Sequence, residues 1–330
     1  MSRIAVVGGG AWGTALGHLA ARKGHVVTLW AREPEVVEAV NRQHRNPLFL
    51  PEIALAPGLV ASADMAALAG SEIALVAAPA QHLRAVCAAL APHWPAGRAL
   101  VICAKGIEQG SHKLMTEIAA EILPGRPAAI LSGPTFAAEV AAGLPTAVTL
   151  AIQDQALGQQ LVETLGSALF RPYWSDDPIG AQIGGAVKNV IAIACGIVMG
   201  RGLGDNARAA LIARGLAEML RLARAKGGKA ETLMGLSGLG DLVLTCCGKQ
   251  SRNTSLGEAL GRGQSLAAIQ AGRRSVAEGV STASAVMELA RLHAVDMPIV
   301  AAMDGVLNRD LDIDAAVKGL LARPFKAEQA

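Results

Sequence analysis

Short apolar runs separated by amphipathic stretches dominate the first half of the chain. Ile4 to Gly8, Val26 to Trp30, Ile73 to Ala77, Ala99 to Cys103, Ala128 to Leu131, Ala147 to Ile152 and Phe170 to Trp174 stand out, with a weaker run at Leu59 to Ala61. Runs of this length, alternating with helical patterns such as Thr14 to Lys23, read as strands covered on both faces and predict βαβ units in a doubly wound parallel sheet. From about Gly180 the pattern changes. Ile183 to Met199, Ala207 to Ala225 and Thr282 to Leu292 carry long apolar faces with charged residues recurring opposite, which predicts helices. The expected organisation is an α/β domain over residues 1–180 and an all-α domain over 181–330.

Composition narrows the picture. A chain of 330 residues fits two domains, and 52% apolar against 17% charged residues excludes disorder. Eight of the nine aromatics lie before residue 180, so the helical half must pack with aliphatic side chains. The net charge of +3 is too balanced for nucleic acid as the main partner, and it divides unevenly. The first 180 residues hold 12 basic and 14 acidic side chains, net −2, and the remainder 18 and 13, net +5. Mean hydropathy is +0.37, yet the longest apolar run, Val190 to Met199, is shorter than a bilayer requires, so no membrane span is expected. The start, MSRIAVVGGG, lacks the features of a secretory signal, and a cytoplasmic location is expected. Cys87, Cys103, Cys195, Cys246 and Cys247 show no CxxC or ligand spacing, so reduced core thiols and no metal are expected.

Candidate chemistry sits at the ends of the predicted elements. Gly8, Gly10 and Gly13 form a GxGxxG directly after a strand and before a helix. The first permits a tight turn, the second a close pyrophosphate, the third helix-on-strand packing, with the anion at the helix N-terminus. The acid that would bind an NAD ribose falls near Ala31. Arg32 follows it and suits the 2′-phosphate of NADP, which favours NADP, while Glu33 keeps NAD open. In Gly184-Gly185-Ala186-Val187-Lys188-Asn189, the lysine interrupts an apolar helix. It is either a catalytic acid or a side chain snorkelling from a helix edge. Asn189 would fix its orientation, and the paired glycines would let the helix start lie close to a ligand. Asp241 and Thr245, four residues apart, offer a carboxylate partner, with an N-cap as the alternative for Asp241. Ser251, Arg252 and Asn253 concentrate donors for a phosphate or form an exposed loop. Lys105 and the Ser132-Gly133-Pro134-Thr135 segment lie at carboxyl ends of strands, where doubly wound sheets bind ligands.

Taken together, VVGGGAWGTALG, KGIE, SGPTFAAEVAAGLPTAV, GGAVKNVIAIACG, NARAALIARGLAEM, GLSGLGDLVLTC and QSRNTSLG resemble, in order and over nearly the whole chain, the NAD(P)-dependent glycerol-3-phosphate dehydrogenases of bacteria. The resemblance implies a Rossmann-type domain followed by an all-helical domain, with the site between them, a homodimer, and reversible reduction of dihydroxyacetone phosphate to glycerol 3-phosphate for glycerophospholipid synthesis. It makes Lys188 the proton donor and acceptor, with Lys105, Asp241 and Thr245 as catalytic partners. Lys105, Gly133, Thr135, Lys188, Asn189, Asp241, Ser251, Arg252 and Asn253 would contact substrate. Gly8, Gly10, Ala11, Trp12, Gly13, Arg32, Lys105, Ala137, Arg252, Val276 and Glu278 would contact cofactor. Ala11 departs from the family pattern, where Ser is common, and removes one hydroxyl from the pyrophosphate site. On the chemistry of the residues alone, a β-hydroxyacid dehydrogenase and a non-catalytic NAD(P)H-binding sensor stay open as alternatives. A His/Asp 2-hydroxyacid site does not fit, since only His293 falls in the helical half.

Overall fold

Eight strands form one sheet in the order β3-β2-β1-β4-β5-β6-β7-β8: β1 (Arg3–Val7), β2 (Val26–Trp30), β3 (Leu59–Ser62), β4 (Ile73–Val76), β5 (Ala99–Ile102), β6 (Ala128–Ser132), β7 (Thr146–Ala151) and β8 (Phe170–Ser175). The computed structural model describes residues 1–271, 277–325 and 327. It divides into two units, residues 1–104 with 114–178 and residues 105–113 with 179–330. The first six strands are parallel in the 3-2-1-4-5-6 order of dinucleotide-binding sheets. Ile4, Val6, Val27, Leu29, Leu75, Val101, Ala129 and Leu131 bury one face of the sheet in a continuous core. Every expected strand is present, within a residue or so at each end.

The expectation of an all-parallel sheet needs one correction, because β7 runs antiparallel to β6. Only a five-residue helix, α5 (Ala137–Ala141), lies between the two strands. At about 1.5 Å per residue it is roughly 7.5 Å long. With its flanking loops the connection, residues 133–145, sits at the lower end of the roughly dozen residues a parallel crossover needs. The helices packed with the sheet are α1 (Ala11–Arg22), α2 (Pro34–Gln43), α3 (Leu83–Leu90), α4 (Met115–Ile122) and α6 (Gln155–Leu165).

The second unit is helical: α7 (Pro178–Gly200), α8 (Gly204–Lys226), α9 (Ala230–Met234), α10 (Asp241–Cys247), α11 (Arg252–Gly261), α12 (Leu266–Ala271), α13 (Glu278–Leu292), α14 (Pro298–Asn308) and α15 (Ile313–Leu321). α7 is its spine, buried without interruption from Gly180 to Val198. Counting only uninterrupted apolar residues understated this helix, which is long and apolar enough to cross a membrane by length and composition. Its most apolar 18-residue window is 89% buried inside the folded chain, as in the core helix of a globular unit. Helix α11 lies against α7 at backbone distance: a Cβ on Gly196 would stand 2.1 Å from the Thr254 carbonyl oxygen, and one on Gly257 2.0 Å from that of Ile193. Four cysteines are buried, as expected of core thiols, but Cys247, at the last position of α10, is exposed.

Candidate active site

In the first unit the glycine turn has the geometry its spacing predicts. Gly8 adopts φ +123°, and a Cβ on Gly13 would lie 2.0 Å from the Gly8 carbonyl oxygen, so α1 can sit on β1 only with glycine there. A Cβ on Gly10 would meet nothing within 4 Å, which leaves space in front of the helix start. The first intrahelical bond is Thr14 N–H to Gly10 O (2.9 Å), so the amides of Ala11, Trp12 and Gly13 precede the ladder. Gly10 supplies no side-chain cap, no acid stands in the first turn, and the buried Trp12 Nε1 has no partner. A pyrophosphate fits this turn, and so does the loss of the hydroxyl at Ala11, because the donors are backbone amides.

Two side chains that sequence reasoning missed hold the turn. Buried Asn46 donates from Nδ2 to Gly9 O (2.8 Å) and to Thr14 Oγ1 (2.8 Å), while Thr14 Oγ1 donates to Gly9 O (3.2 Å). Asn46 is 37 residues from Gly9, and no local pattern marks it. Arg32, two residues beyond β2, is 80% exposed and paired with Glu33 at 3.0 Å. Ala137, at the start of α5, packs in the same apolar cluster as Trp12. At the end of β6, Gly133 has φ +152° with a would-be Cβ 2.9 Å from Val148 Cα, and Thr135 Oγ1 donates to its carbonyl (3.2 Å).

In the second unit one carboxylate bridges two lysines. Lys188 Nζ donates to Asp241 Oδ1 at 2.5 Å, and Lys105 Nζ donates to Asp241 Oδ2 at 2.7 Å. Asp241 is fully buried, Lys188 is 5% exposed, and the Lys105 side chain is 15% exposed. Lys188 also donates to Thr245 Oγ1 (2.9 Å), whose own proton goes to the Asp241 carbonyl (2.6 Å). Burial pushes the Lys188 ammonium down from the ordinary lysine range to about 8; Asp241 opposes this shift and Lys105 adds to it. The cluster of two ammonium groups and one carboxylate carries a net +1. Neither the snorkelling alternative for Lys188 nor the plain N-cap for Asp241 describes these contacts.

Two expectations for the segment around Lys188 are corrected. Asn189 does not orient the lysine. It donates to Gly185 O (3.3 Å) and Lys105 O (3.5 Å) and accepts from Asn253 Nδ2 (3.0 Å). The first of the paired glycines makes its close approach to protein: a Cβ on Gly184 would lie 2.3 Å from the Ser237 carbonyl oxygen. That contact seats the wide turn Leu236–Gly240, in which the Gly240 amide reaches back to Gly235 O (3.0 Å), one helical turn from Lys188. Asp241 follows that turn, so Gly184 places the carboxylate.

The phosphate candidates cluster beside it. Ser251 caps α11 by accepting from Thr254 N–H (3.1 Å); Arg252 is the exposed first residue of the helix, and Asn253 is buried. Asn253 Oδ1 accepts from Gly279 N–H (3.2 Å) at the start of α13, whose first residue is Glu278. Lys105, Lys188, Asn189, Asp241, Thr245 and Asn253 thus form one hydrogen-bonded set. Val276 lies outside the described residues.

Comparison with known proteins gives matches over both parts of the chain. Residues 3–158 match the family model for the N-terminus of NAD-dependent glycerol-3-phosphate dehydrogenase, and residues 177–318 match that for its C-terminus. The chain is 60% identical over 329 residues to glycerol-3-phosphate dehydrogenase [NAD(P)+] of Rhodospirillum rubrum, covering 99% of this chain and 94% of the relative. To the protein of the same name in Caulobacter vibrioides it is 58% identical, covering 99% and 98%. The crystal structure of glycerol-3-phosphate dehydrogenase from Coxiella burnetii superposes with a TM-score of 0.94 at 42% identity, covering 98% of this chain and 99% of that one.

Proposed function

Because the chain belongs to the NAD-dependent glycerol-3-phosphate dehydrogenase family, we propose that it catalyses the reversible NAD(P)H-dependent reduction of dihydroxyacetone phosphate to glycerol 3-phosphate, with Lys188 as proton donor and acceptor. The observation that carries this reading is the bridge from Lys188 through Asp241 to Lys105. The nicotinamide, when bound, supplies the hydride to the carbonyl carbon. The oxygen then becomes an alkoxide, which needs a proton and nearby positive charge. Of the three N–H donors of Lys188, one is held by Asp241 and one by Thr245, which leaves the third for that oxygen. Lys105 supplies a second positive charge, and Asp241 keeps both ammonium groups aimed.

The first unit takes the role of cofactor domain and the second that of substrate domain. Arg252, Asn253 and the Ser251 hydroxyl hold the phosphate at the N-terminus of α11, and Gly133 and Thr135 supply further substrate contacts. The Ser251-Arg252-Asn253 donors beside the bridged lysines lean toward a phosphate over the carboxylate of a β-hydroxyacid, and a sensor has no need of the bridged lysines. Glycerophospholipid synthesis in the cytoplasm, by a homodimer, completes the reading. Light scattering at a known concentration gives the oligomer. Purified protein is expected to oxidise NADPH when dihydroxyacetone phosphate is added; no turnover at any pH overturns the enzymatic reading.

NADP is the preferred cofactor in this reading. Exposed ion pairs such as that of Arg32 with Glu33 contribute roughly 0–1 kcal/mol, so Arg32 can leave Glu33 for a 2′-phosphate at little cost. A charge-assisted bond to phosphate is worth more, and Arg32→Ala is expected to lower kcat/KM for NADPH by roughly tenfold with little change for NADH. Equal NADPH preference in both proteins removes Arg32 from that role.

A further inference from the structure

Thr254 stands where the helices that carry the proton-transfer residues and the phosphate donors meet. It is the third residue of α11, directly after Arg252 and Asn253, and its amide is held by the Ser251 cap. Its hydroxyl leaves its own helix and donates to the carbonyl of Thr245 at 2.5 Å. That carbonyl is one of the last four of α10, which have no partner within the helix, so Thr254 closes the end of α10 from outside. Its own carbonyl lies against α7 at Gly196, where a Cβ would come within 2.1 Å, two turns beyond Lys188. The hydroxyl of Thr245 is in turn an acceptor for Lys188 Nζ.

We propose that Thr254 is a positioning residue: it fixes Thr245, and through it Lys188, in register with the turn of α11 that holds the substrate phosphate. This rests on the functional reading above for its consequences in turnover. The bond it makes is a link between two short elements, and α10 has only seven residues. With the link gone, the α10 terminus must find another donor for the Thr245 carbonyl, and the Thr245 hydroxyl, still bonded to the Asp241 carbonyl, shifts with that terminus away from the lysine. A Lys188 that has lost an acceptor has a less stabilised ammonium form, so its titration moves to lower pH. Displacement of the lysine from a substrate anchored at its phosphate lowers kcat more than it raises KM.

The test compares wild type, Thr254→Val and Thr254→Ser in full-length protein, by steady-state kinetics against pH and by NMR titration of the Lys188 side chain, assigned with Lys188→Arg. Each variant leaves in place the groups that face Lys188, namely Asp241, Lys105, Thr245 and the Cys246 thiol. Valine is expected to lower kcat roughly tenfold and to move the Lys188 titration to lower pH, with serine restoring both to near wild type. Lower thermal stability in Thr254→Val with kcat and the titration unchanged makes the residue merely structural and overturns the proposal. The NMR arm needs no turnover, so an inactive wild type overturns the assigned reaction while the link from Thr254 to Lys188 is still decided by the titration.

Discussion

Replacing Lys188 with alanine is expected to lower kcat roughly a thousandfold while leaving NADPH binding intact. The lysine has an N–H left over to give, and neither Asp241 nor Thr245 can replace it as the donor. Asp241 accepts from both lysines, and the Thr245 proton is committed to a backbone carbonyl. Truncation also leaves Asp241 buried with Lys105 alone, so the variant loses its proton and part of its charge balance together. The pH dependence follows from the shift to about 8. Reduction needs the ammonium form, so its rate is level below about 8 and falls above it. Oxidation needs the neutral amine and rises through the same region. Lys188→Arg, always protonated, is expected to lose oxidation at every pH. Initial rates in both directions across this range, with fluorescence titration of NADPH, decide the matter. A near-normal rate in Lys188→Ala removes the lysine from proton transfer.

The parts of this architecture that could be read beforehand are those encoded within one element. A lysine and an asparagine interrupting α7 are visible because everything around them is apolar, and the glycine turn is visible because its three roles fall within six residues. What could not be read depends on tertiary pairing. Lys105 meets Asp241 across 136 residues, and nothing in the pattern at residues 105–113 separates them from the sheet unit around them. Asn46 locks the glycine turn from a loop with no motif of its own. Gly184 was legible as a close approach but not as an approach to Ser237, because a missing side chain does not say what takes its place. The direction of β7 was not legible because a hydrophobic run marks a strand without its sense.

The glycine turn yields the second large effect, and it separates folding from binding. Gly13→Ala places a methyl 2.0 Å from the Gly8 carbonyl oxygen and 3.2 Å from Ala77 Cβ. Backbone cannot yield as a flexible side chain does, so α1 must lift from β1. Such overpacking costs roughly 1–3 kcal/mol or more. The expected result is a fall of several degrees in melting temperature together with a loss of NADPH affinity of roughly a hundredfold, since the amides ahead of Thr14 move with the helix. Gly10→Ala is the matched control. Its Cβ enters open space, and its extended backbone, φ −68° and ψ 177°, is one alanine adopts freely. This variant is expected to melt with wild type yet bind NADPH weakly, because the methyl stands where the pyrophosphate must approach. Calorimetry and fluorescence titration on the two proteins read the two effects independently. If Gly10→Ala binds NADPH as tightly as wild type, the turn is a folding device and the pyrophosphate sits elsewhere.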